Sequence, residues 1–427
     1  MRKVFLVLAI AVLVGAGAIA AAIYATDPKR PSGPVATSHG TQQSFGEIEY
    51  GRYMTVVADC AACHTDPHGG EPFAGGRPIE TPFGAVVSSN ITPDRETGIG
   101  AWTDDDFADA LQKGFGRDGH MIYPAMPYPH FTEMTRRDVD AIKVYLGTLK
   151  PVHNAVVSDT LPFPLNIRVG MRAWNLLYFR DGRYMPDPSR DATYNRGAYL
   201  VEGPGHCGAC HTPKTMLGGD KTAEAYQGAV IQRWTAPNIT GDARRGLGSW
   251  SIEDVVQYLR TGHNRQAAAS GPMAEEVDLS SSRMSEDDLR AIAVYLKGQP
   301  GQGDGAPPVA SDTPAMRAGA AIYGNSCAAC HGRGGAGVTG LFPTLARVPA
   351  VQQRDPTSLI RVVLDGAKSV STQAAPTGAA MPSYGWRLDN GQVAAVLTYI
   401  RNAWGNQAPA VSASEVASMR EQLKRAN

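Results

Sequence analysis

The sequence predicts a mainly α-helical chain in which three small domains follow one apolar helix at the N-terminus. A five-residue motif of two cysteines and a histidine occurs three times in the 427 residues. The length allows about three domains of ~100 residues each, with linkers between them. A content of 47 glycines and 30 prolines suits small domains with long loops around a bound group and little sheet.

The three motifs occupy residues 60–64, 207–211 and 327–331, and together they use all six cysteines. The cysteines of a motif lie about one helical turn apart, so both sulfurs can bond to one porphyrin while the histidine reaches its iron. A redox-active dithiol would need only the two cysteines, and a zinc knuckle would need two such pairs per metal. We therefore predict three covalently bound haem c groups, each inside a domain with the fold of a class I cytochrome c. The predicted attachment and proximal residues are Cys60, Cys63 and His64, then Cys207, Cys210 and His211, and finally Cys327, Cys330 and His331.

Charge and the N-terminus indicate where the chain works. Lysine plus arginine equal aspartate plus glutamate at 40 each, so no global basic field favours a nucleic acid partner. Arg2 and Lys3 precede an uncharged apolar run, residues 4–25, which is long enough to span a bilayer as a helix. The alternative is a cleaved signal peptide with a small-x-small cleavage site at 18–20. Either reading places the remainder on the periplasmic side of the cytoplasmic membrane, where covalent haem attachment is normally completed.

Changes in composition divide the chain into segments. Residues 27–45 and 301–314 have the composition of linkers, because Pro, Gly, Ser and Thr are frequent there and no periodicity is present. The full division is anchor or signal peptide 1–26, linker 27–45, first cytochrome c domain 46–150, apolar connecting segment 151–191, second domain 192–300, linker 301–314, third domain 315–405 and C-terminal tail 406–427.

The first domain should contain three main helices. A short helix leads into Cys60 with its apolar face towards the core. Residues 103–114 predict a second helix, whose acidic first turn suits the positive end of the helix dipole. Apolar residues at helical spacing over 135–149, with Thr135 as N-cap, predict the last helix. We expect the last helix to pack across the first.

The second domain repeats the first. Residues 90–102 (NITPDRETGIGAW) and 238–250 (NITGDARRGLGSW) are identical at seven of thirteen positions without a gap. These blocks are offset by 148 residues and the haem histidines by 147, which duplication explains better than chance. Residues 285–297 echo residues 137–148 and should close the second domain with a helix.

The connecting segment is too apolar for a solvated linker. Its side chains could pack the seam between the first two domains, which is the interpretation we favour. They could instead form an exposed docking face for a partner or for the membrane. The residues concerned are Phe163, Leu165, Ile167, Met171, Trp174, Leu177 and Tyr178.

The third domain has a shorter section after its motif and lacks the Asn-Ile-Thr block, which indicates a different branch of small cytochrome. Its closing helix should begin near Asp389, with Gln392 completing a capping box. The tail 406–427 predicts one more charged surface helix without chemistry.

The sixth iron ligand decides between electron transfer and catalysis, because an iron coordinated on both sides has no open position for substrate. After His331 the chain has no further histidine and two methionines, Met381 and Met419. Met381 precedes a proline, which stiffens a loop that must hold a weak thioether bond, whereas Met419 lies beyond the closing helix. Met381 is therefore the predicted ligand in the third domain.

Matched spacing predicts the other two distal ligands. Met126 lies 62 residues after His64, and Met273 lies 62 residues after His211. A distance shared by two repeats favours this pair, and coordination by histidine and methionine would raise the haem potentials. The alternatives, each more simply read as a core or surface residue, are Met121, Met284, His120, His130 and His263.

The three motifs, the repeated NIT block, YPAMPY in the first domain and GPMAE in the second resemble the triheme cytochrome c subunits of membrane-bound bacterial dehydrogenases that oxidise alcohols, aldehydes, gluconate or sorbitol. The resemblance covers residues 46–404. It implies that electrons from a separate catalytic subunit, bearing a quinone cofactor, a flavin or a molybdenum centre, pass through three haems to ubiquinone in the membrane. A small third subunit is compatible with such a complex. The resemblance also implies covalent attachment at the six cysteines, proximal ligands His64, His211 and His331, and distal ligands Met126, Met273 and Met381.

The residues alone lead less far. Three irons coordinated on both sides form a wire, and the sequence contains no dinucleotide fingerprint or nucleophile motif, so the chain should not oxidise substrate by itself. A relay subunit of a dehydrogenase is the first hypothesis, and an independent shuttle to a terminal oxidase is the second. A haem enzyme such as a peroxidase, which would need one five-coordinate iron, is the third.

Overall fold

The computed structural model describes residues 45–157, 160–303 and 307–426. The predicted anchor or signal peptide and nearly all of the linker 27–45 lie outside these residues, as does the middle of the second linker. Within the described ranges, no helix is both long and apolar enough to cross a membrane. Helices dominate, and the strands form short antiparallel pairs, so the prediction of a mainly α-helical protein is confirmed. We call residues 45–150, 192–300 and 307–405 the first, second and third regions.

The first region contains the helices that the sequence predicts. Thr103 and Asp106 form a capping box at the start of α3, and the Thr135 hydroxyl accepts a hydrogen bond from the Asp138 amide at the start of α5. The elements in order are α1 (Phe45–Val57), α2 (Cys60–His64), β1 (Pro78–Thr81), β2 (Gly84–Val87), α3 (Asp104–Lys113), α4 (Tyr128–Phe131) and α5 (Arg136–Leu146).

The second region repeats this order after the connecting helix α6. Ser251 and Asp254 form the capping box of α9, as Thr103 and Asp106 do in α3. The elements are α6 (Gly170–Tyr178), then α7 (Ala192–Glu202), α8 (Cys207–His211), β3 (Ala229–Ile231), β4 (Trp234–Ala236), α9 (Ile252–Thr261), α10 (Pro272–Leu279) and α11 (Glu286–Lys297), with short 3₁₀ turns at Thr222–Glu224 and Ser281–Arg283.

The third region differs after its motif, as its sequence predicts. Asp389 and Gln392 form the predicted capping box of the closing helix, α16. The elements are α12 (Pro314–Ser326), α13 (Ala328–His331), α14 (Pro349–Gln352), α15 (Thr357–Asp365), β5 (Ala367–Lys368), β6 (Ala380–Met381), α16 (Asn390–Ile400) and, in the tail, α17 (Ala413–Ala426).

The tail is not the surface helix that we predict from its charges. Val416, Met419 and Leu423 recur at helical spacing along α17, and all three are buried in the core of the third region. Arg420 beside them donates a 2.8 Å hydrogen bond to the Leu388 carbonyl. An apolar stripe of three residues is enough to dock an otherwise charged helix, so α17 belongs to the third region.

The first and last helices of each region cross at a glycine. A Cβ atom on Gly51 of α1 would lie 2.0 Å from the Ala141 carbonyl oxygen of α5, so only a hydrogen atom fits between the two backbones. A Cβ atom on Gly197 of α7 would likewise lie 2.0 Å from the Ala291 carbonyl oxygen of α11. At the third crossing, between α12 and α16, a Cβ atom on Gly319 would lie 2.2 Å from the Ala395 carbonyl oxygen. The predicted packing of last helix across first is therefore found in all three regions.

The connecting segment divides into an inner and an outer face. The Trp174 ring packs edge-on against Tyr128 of the first region, and its Nε1 donates a 2.9 Å hydrogen bond to the Leu217 carbonyl of the second. Tyr178 lies against Gly219. These two residues pack the seam, as we expected. The seam interpretation is wrong for four others, which are exposed: Phe163, Leu165, Ile167 and Leu177.

Candidate haem sites

Each motif directly follows the first helix of its region. In the first two regions, a residue in the left-handed conformation turns the chain between that helix and the motif, Asp59 with φ 48° and His206 with φ 35°. The motif then forms a short helix of its own, α2 or α8. In the third region, α12 runs to the motif, and Cys327 is both the C-cap of α12 and the N-cap of α13. The two cysteines of a motif therefore lie about one helical turn apart, as the sequence predicts.

A backbone carbonyl holds the histidine of each motif. Nδ1 of His64 lies 2.7 Å from the Ser89 oxygen, and Nδ1 of His211 lies 2.7 Å from the Pro237 oxygen. A carbonyl only accepts, so Nδ1 carries the proton and Nε2 keeps a free lone pair, as a metal-bound histidine requires. His331 has the corresponding contact with Pro343 at 3.3 Å.

The repeated Asn-Ile-Thr block explains the position of these carbonyls. Ser89 and Pro237 immediately precede Asn90 and Asn238, the first residues of the two blocks. The Asn90 side chain accepts a 2.9 Å hydrogen bond from the Thr92 amide, and Asn238 does the same for Thr240 at 2.8 Å. This Asx turn fixes the peptide whose oxygen orients the histidine. The sequence repeat identifies the block, but it does not predict that the block orients the histidine.

The third region orients His331 without such a block. Pro343 lies 12 residues after His331, in the loop directly following the motif. The corresponding carbonyls of the first two regions come 25 and 26 residues after their histidines, beyond a strand pair. This difference accounts physically for the shorter section that the sequence shows after the third motif.

Burial controls the protonation of the motif side chains. Desolvation lowers the pKa of His64, His211 and His331, which favours the neutral imidazole that can bind iron. Desolvation also raises the pKa of Cys60 and Cys63 to about 12. Two thiols one turn apart, beside a neutral imidazole with its Nε2 available, are the donor set that covalent haem c requires. The residues present therefore fit this group.

The predicted distal methionines lie in three different settings. Met126, in the loop before α4, packs against the same core as Cys60. Met381, at the end of β6, packs against the same core as Cys327. Met273 lies in the first turn of α10, a helix that packs beside the motif of the first region. All three are partly buried and remain predictions as ligands.

Met284, the alternative ligand in the second region, lies directly before the N-cap of a helix. Met284 directly precedes Ser285, the N-cap of α11, and Met134 directly precedes Thr135, the N-cap of α5. Both methionines pack against the core of their region, as the residue before an N-cap does in a hydrophobic staple. Met134 is therefore the counterpart of Met284 in the first region. The distances from the motif histidines do not identify this pair.

The alternative histidines have protein partners. His130 Nε2 lies 3.1 Å from the Asp220 carboxylate of the second region. His120 pairs with Asp118 on the surface. His263 Nδ1 lies 3.2 Å from the Thr261 carbonyl oxygen.

The first two motifs meet across one interface. Arg77 donates a hydrogen bond to the Ala62 carbonyl of α2, and a second, 2.8 Å long, to Glu275 on α10 of the second region. In the reverse direction, His130 on α4 packs beside α8, where a Cβ atom on Gly208 would lie 3.0 Å from its Cε1. Each motif helix is therefore contacted by the segment that follows the predicted methionine ligand of the other region.

The loop that orients His211 also contacts the third region. The amide of Asn238, next to Pro237, donates a 3.1 Å hydrogen bond to the Gln353 side chain of the third region. A cleft between the two regions is lined by His263 on one side and by Pro343 on the other. The second region thus contacts both of its neighbours close to its own motif.

A pair of thiols one helical turn apart and a carbonyl-held histidine, placed after the first of two crossing helices, define a c-type cytochrome, an electron-transfer protein with covalently bound haem c. In agreement, the cytochrome c family model matches residues 195–300 and 316–404. The chain belongs to the family of cytochrome c subunits of bacterial dehydrogenases, as its relatives show.

Three relatives illustrate the extent of the similarity. The gluconate 2-dehydrogenase cytochrome c subunit of Pantoea cypripedii is 41% identical over 395 residues, covering 88% of this chain and 89% of that protein. The cytochrome c subunit of the alcohol dehydrogenase (quinone) of Gluconobacter oxydans is 39% identical over 402 residues, covering 90% and 84%. The fructose dehydrogenase cytochrome subunit of Gluconobacter japonicus is 35% identical over 403 residues, covering 87% and 82%.

Proposed function

We propose that this chain is a triheme electron-transfer subunit of a membrane-associated periplasmic dehydrogenase complex of the alcohol or aldehyde type. The observation that carries the proposal is the threefold occurrence of one arrangement, a motif helix whose histidine is held by a backbone carbonyl. Relatives named for gluconate, alcohol and fructose dehydrogenases match along almost 90% of the chain, which supports a role beside a catalytic subunit of that kind.

The proposal extends to the haem ligands. The six cysteines form the thioether bonds, and the three motif histidines bind iron through Nε2 on the proximal side. The distal ligands are Met126, Met273 and Met381. Each haem supplies one-electron redox chemistry when bound, and the chain's own residues attach it, orient the proximal imidazole and limit its contact with water.

The contacts between regions support a relay. The second region touches both neighbours close to its own motif, through His130 beside Gly208 on one side and through Gln353 on the other. Electrons accepted from a catalytic subunit, which is a quinoprotein, a flavoprotein or a molybdoprotein, then pass along the chain to ubiquinone.

The chain works at the periplasmic face of the cytoplasmic membrane. Residues 4–25 either anchor it or direct its export, and the catalytic partner binds on the same side. A small third subunit would complete the complex. An independent shuttle to an oxidase remains the alternative function, and it would use the same haem sites.

Purification of the full chain from its native membranes tests the proposal. We expect co-purification with a large catalytic subunit and reduction of all three haems on addition of that subunit's substrate, followed by reduction of a soluble ubiquinone analogue. Isolation as a lone cytochrome would favour the shuttle. Binding of carbon monoxide to the reduced, undenatured protein would favour a haem enzyme, because it requires an open iron position.

A further inference from the structure

We propose that the outer face of the connecting segment, together with the loop at Met216 and Leu217, lies in the headgroup layer of a bilayer that contains anionic phospholipid. We call this surface the apolar patch; it consists of residues 162–169, Leu176, Leu177, Met216 and Leu217. The inference rests on the proposed membrane location and adds the surface that meets the lipid.

The patch carries large exposed apolar side chains on the connecting segment and on the loop that Trp174 ties to it. Phe163 is 79% exposed, Leu176 is 74% exposed and Leu177 is 60% exposed. Met216 is 95% exposed, and its neighbour Leu217 is tied to α6 through Trp174. Solvated surfaces rarely expose so many large apolar side chains on one short segment, and such a surface usually meets a partner or a membrane.

The inner face holds the patch in place. The Tyr123 hydroxyl donates a 2.6 Å hydrogen bond to the Leu165 carbonyl, and the Tyr128 hydroxyl donates one of 2.6 Å to the Asn175 side chain. The Arg168 guanidinium lies 4.7 Å from the centre of the Tyr123 ring. Because these contacts order the segment in the protein itself, little conformational entropy is lost when its outer face meets another surface.

Charge favours anionic lipid as that other surface. Between Asp159 and Asp181 the chain contains three arginines and no acidic residue; Arg168 belongs to the inner face, and Arg172 and Arg180 flank Leu176 and Leu177 in the sequence. The chain as a whole is balanced at 40 basic and 40 acidic residues, so this local excess stands out. Aromatic and aliphatic side chains flanked by arginine are the composition of elements that lie in the interface of anionic membranes.

The N-terminal apolar run keeps the patch within reach of a bilayer. Residues 26–44 connect that run to α1, and a fully extended chain of this length spans at most roughly 65 Å. An anchor at residues 4–25 would therefore confine the first region and the adjoining patch to the space next to the membrane.

Lipid photolabelling of the full-length holoprotein tests the inference. The protein is reconstituted in vesicles of phosphatidylethanolamine and phosphatidylglycerol with a trace of a diazirine-bearing phospholipid, illuminated and mapped by peptide mass spectrometry. We expect label within residues 160–180 and at 216–217. The double variant Leu176→Ser, Leu177→Ser should reduce label in 160–180 several-fold. Because both side chains are exposed, the haem spectrum should not change. Replacing phosphatidylglycerol by phosphatidylcholine should also reduce it.

Trp386 provides the matched control, because its side chain is 82% exposed in the third region. We expect its peptide to stay unlabelled and Trp386→Ser to leave label in 160–180 unchanged. Label confined to residues 4–25 would overturn this inference and leave the proposed location intact. Absence of lipid label everywhere would overturn both. Cross-linking of 160–180 to a co-purified protein without lipid label would overturn the inference and assign the patch to a protein partner.

Discussion

The Tyr53 hydroxyl of the first region donates a 2.6 Å hydrogen bond to the carboxylate of Asp288 in the second region. The reverse pair is also present, because the Tyr199 hydroxyl of the second region donates to Asp138 of the first. Each tyrosine lies two residues after the glycine at which its helix crosses the closing helix. Each aspartate lies three residues after the N-cap of the closing helix.

The two duplicated regions therefore meet like the subunits of a twofold symmetric dimer, in which residue i of one copy contacts residue j of the other and the reverse. A third group completes each site from within the same region, Tyr50 at Asp138 and Arg196 at Asp288. Because both aspartates have partners in both regions, the first two motifs are held at one separation.

Removal of these hydroxyls should loosen the interface. Tyr53→Phe and Tyr199→Phe should each lower the free energy of unfolding by about 1–2 kcal/mol, because each deletes one hydrogen bond to a partly buried carboxylate. Urea unfolding of the holoprotein measures this. Tyr145→Phe, on the closing helix of the first region, is the control and should change stability little. Equal stability of the two interface variants and the wild type would contradict the pairing.

The helix crossing of the third region offers a matched pair of glycines on α12. Gly319→Ala would place a Cβ atom 2.2 Å from the Ala395 oxygen and should destabilise the region by roughly 2–4 kcal/mol through forced separation of the helices. A Cβ atom on Gly324 meets no described atom within 4 Å, so Gly324→Ala should stabilise α12 by about 0.5–1 kcal/mol. Thermal unfolding of the two variants compares them directly, and similar melting temperatures would refute the close crossing.

Loss of a distal ligand should open one iron. In Met273→Ala, about one third of the haem should bind carbon monoxide after reduction, because one of three irons becomes five-coordinate. Met284→Leu, which alters the residue before the N-cap of α11, should bind none. The difference spectrum of the reduced protein with and without carbon monoxide measures both. Reactivity in Met284→Leu and not in Met273→Ala would exchange their roles.

The raised pKa of Glu276 on α10 should make the free energy of unfolding depend on pH. Burial raises the pKa of this carboxyl to about 7 from an ordinary value of 4.5, although Ser281 donates to it at 3.0 Å. Between these pH values the folded chain keeps a proton that the unfolded chain has released, so the stabilising effect is complete below pH 4.5 and lost as pH rises through 7. The loss should be on the order of 1–3 kcal/mol.

Urea unfolding at several pH values tests this expectation. Glu276→Gln should flatten the profile between pH 4.5 and 7, because a carboxamide does not titrate in this range. Glu253→Gln, at a fully exposed carboxyl paired with Arg290, should keep the slope of the wild type. A Glu276→Gln profile identical to that of the wild type would show that another group causes the dependence.

Local signals made much of this fold predictable. The N-caps at Thr135 and Asp389 were identified because a capping side chain and the helix behind it are neighbours in sequence. The haem motifs were found for the same reason, since each places its donors within five residues. Comparison of the repeats then extended the prediction from one region to the next.

Features that depend on contacts between distant segments were not predictable. Tyr53 and Asp288 are 235 residues apart, and each read alone is an ordinary polar residue on a helix. The burial of Met419 was missed because charged neighbours dominate the composition of the tail. The exposure of Phe163 and Leu177 was not predicted either, because an apolar side chain is more often buried than exposed.

The number of covalent haems tests the central claim most directly. Intact mass spectrometry of the purified chain should give the polypeptide, with or without residues 1–26, plus three haem masses that persist under denaturing conditions. Substitution of both cysteines of one motif, as in Cys327→Ala with Cys330→Ala, should reduce the count to two. A wild-type chain that carries two covalent haems or fewer would contradict the account of three haem sites.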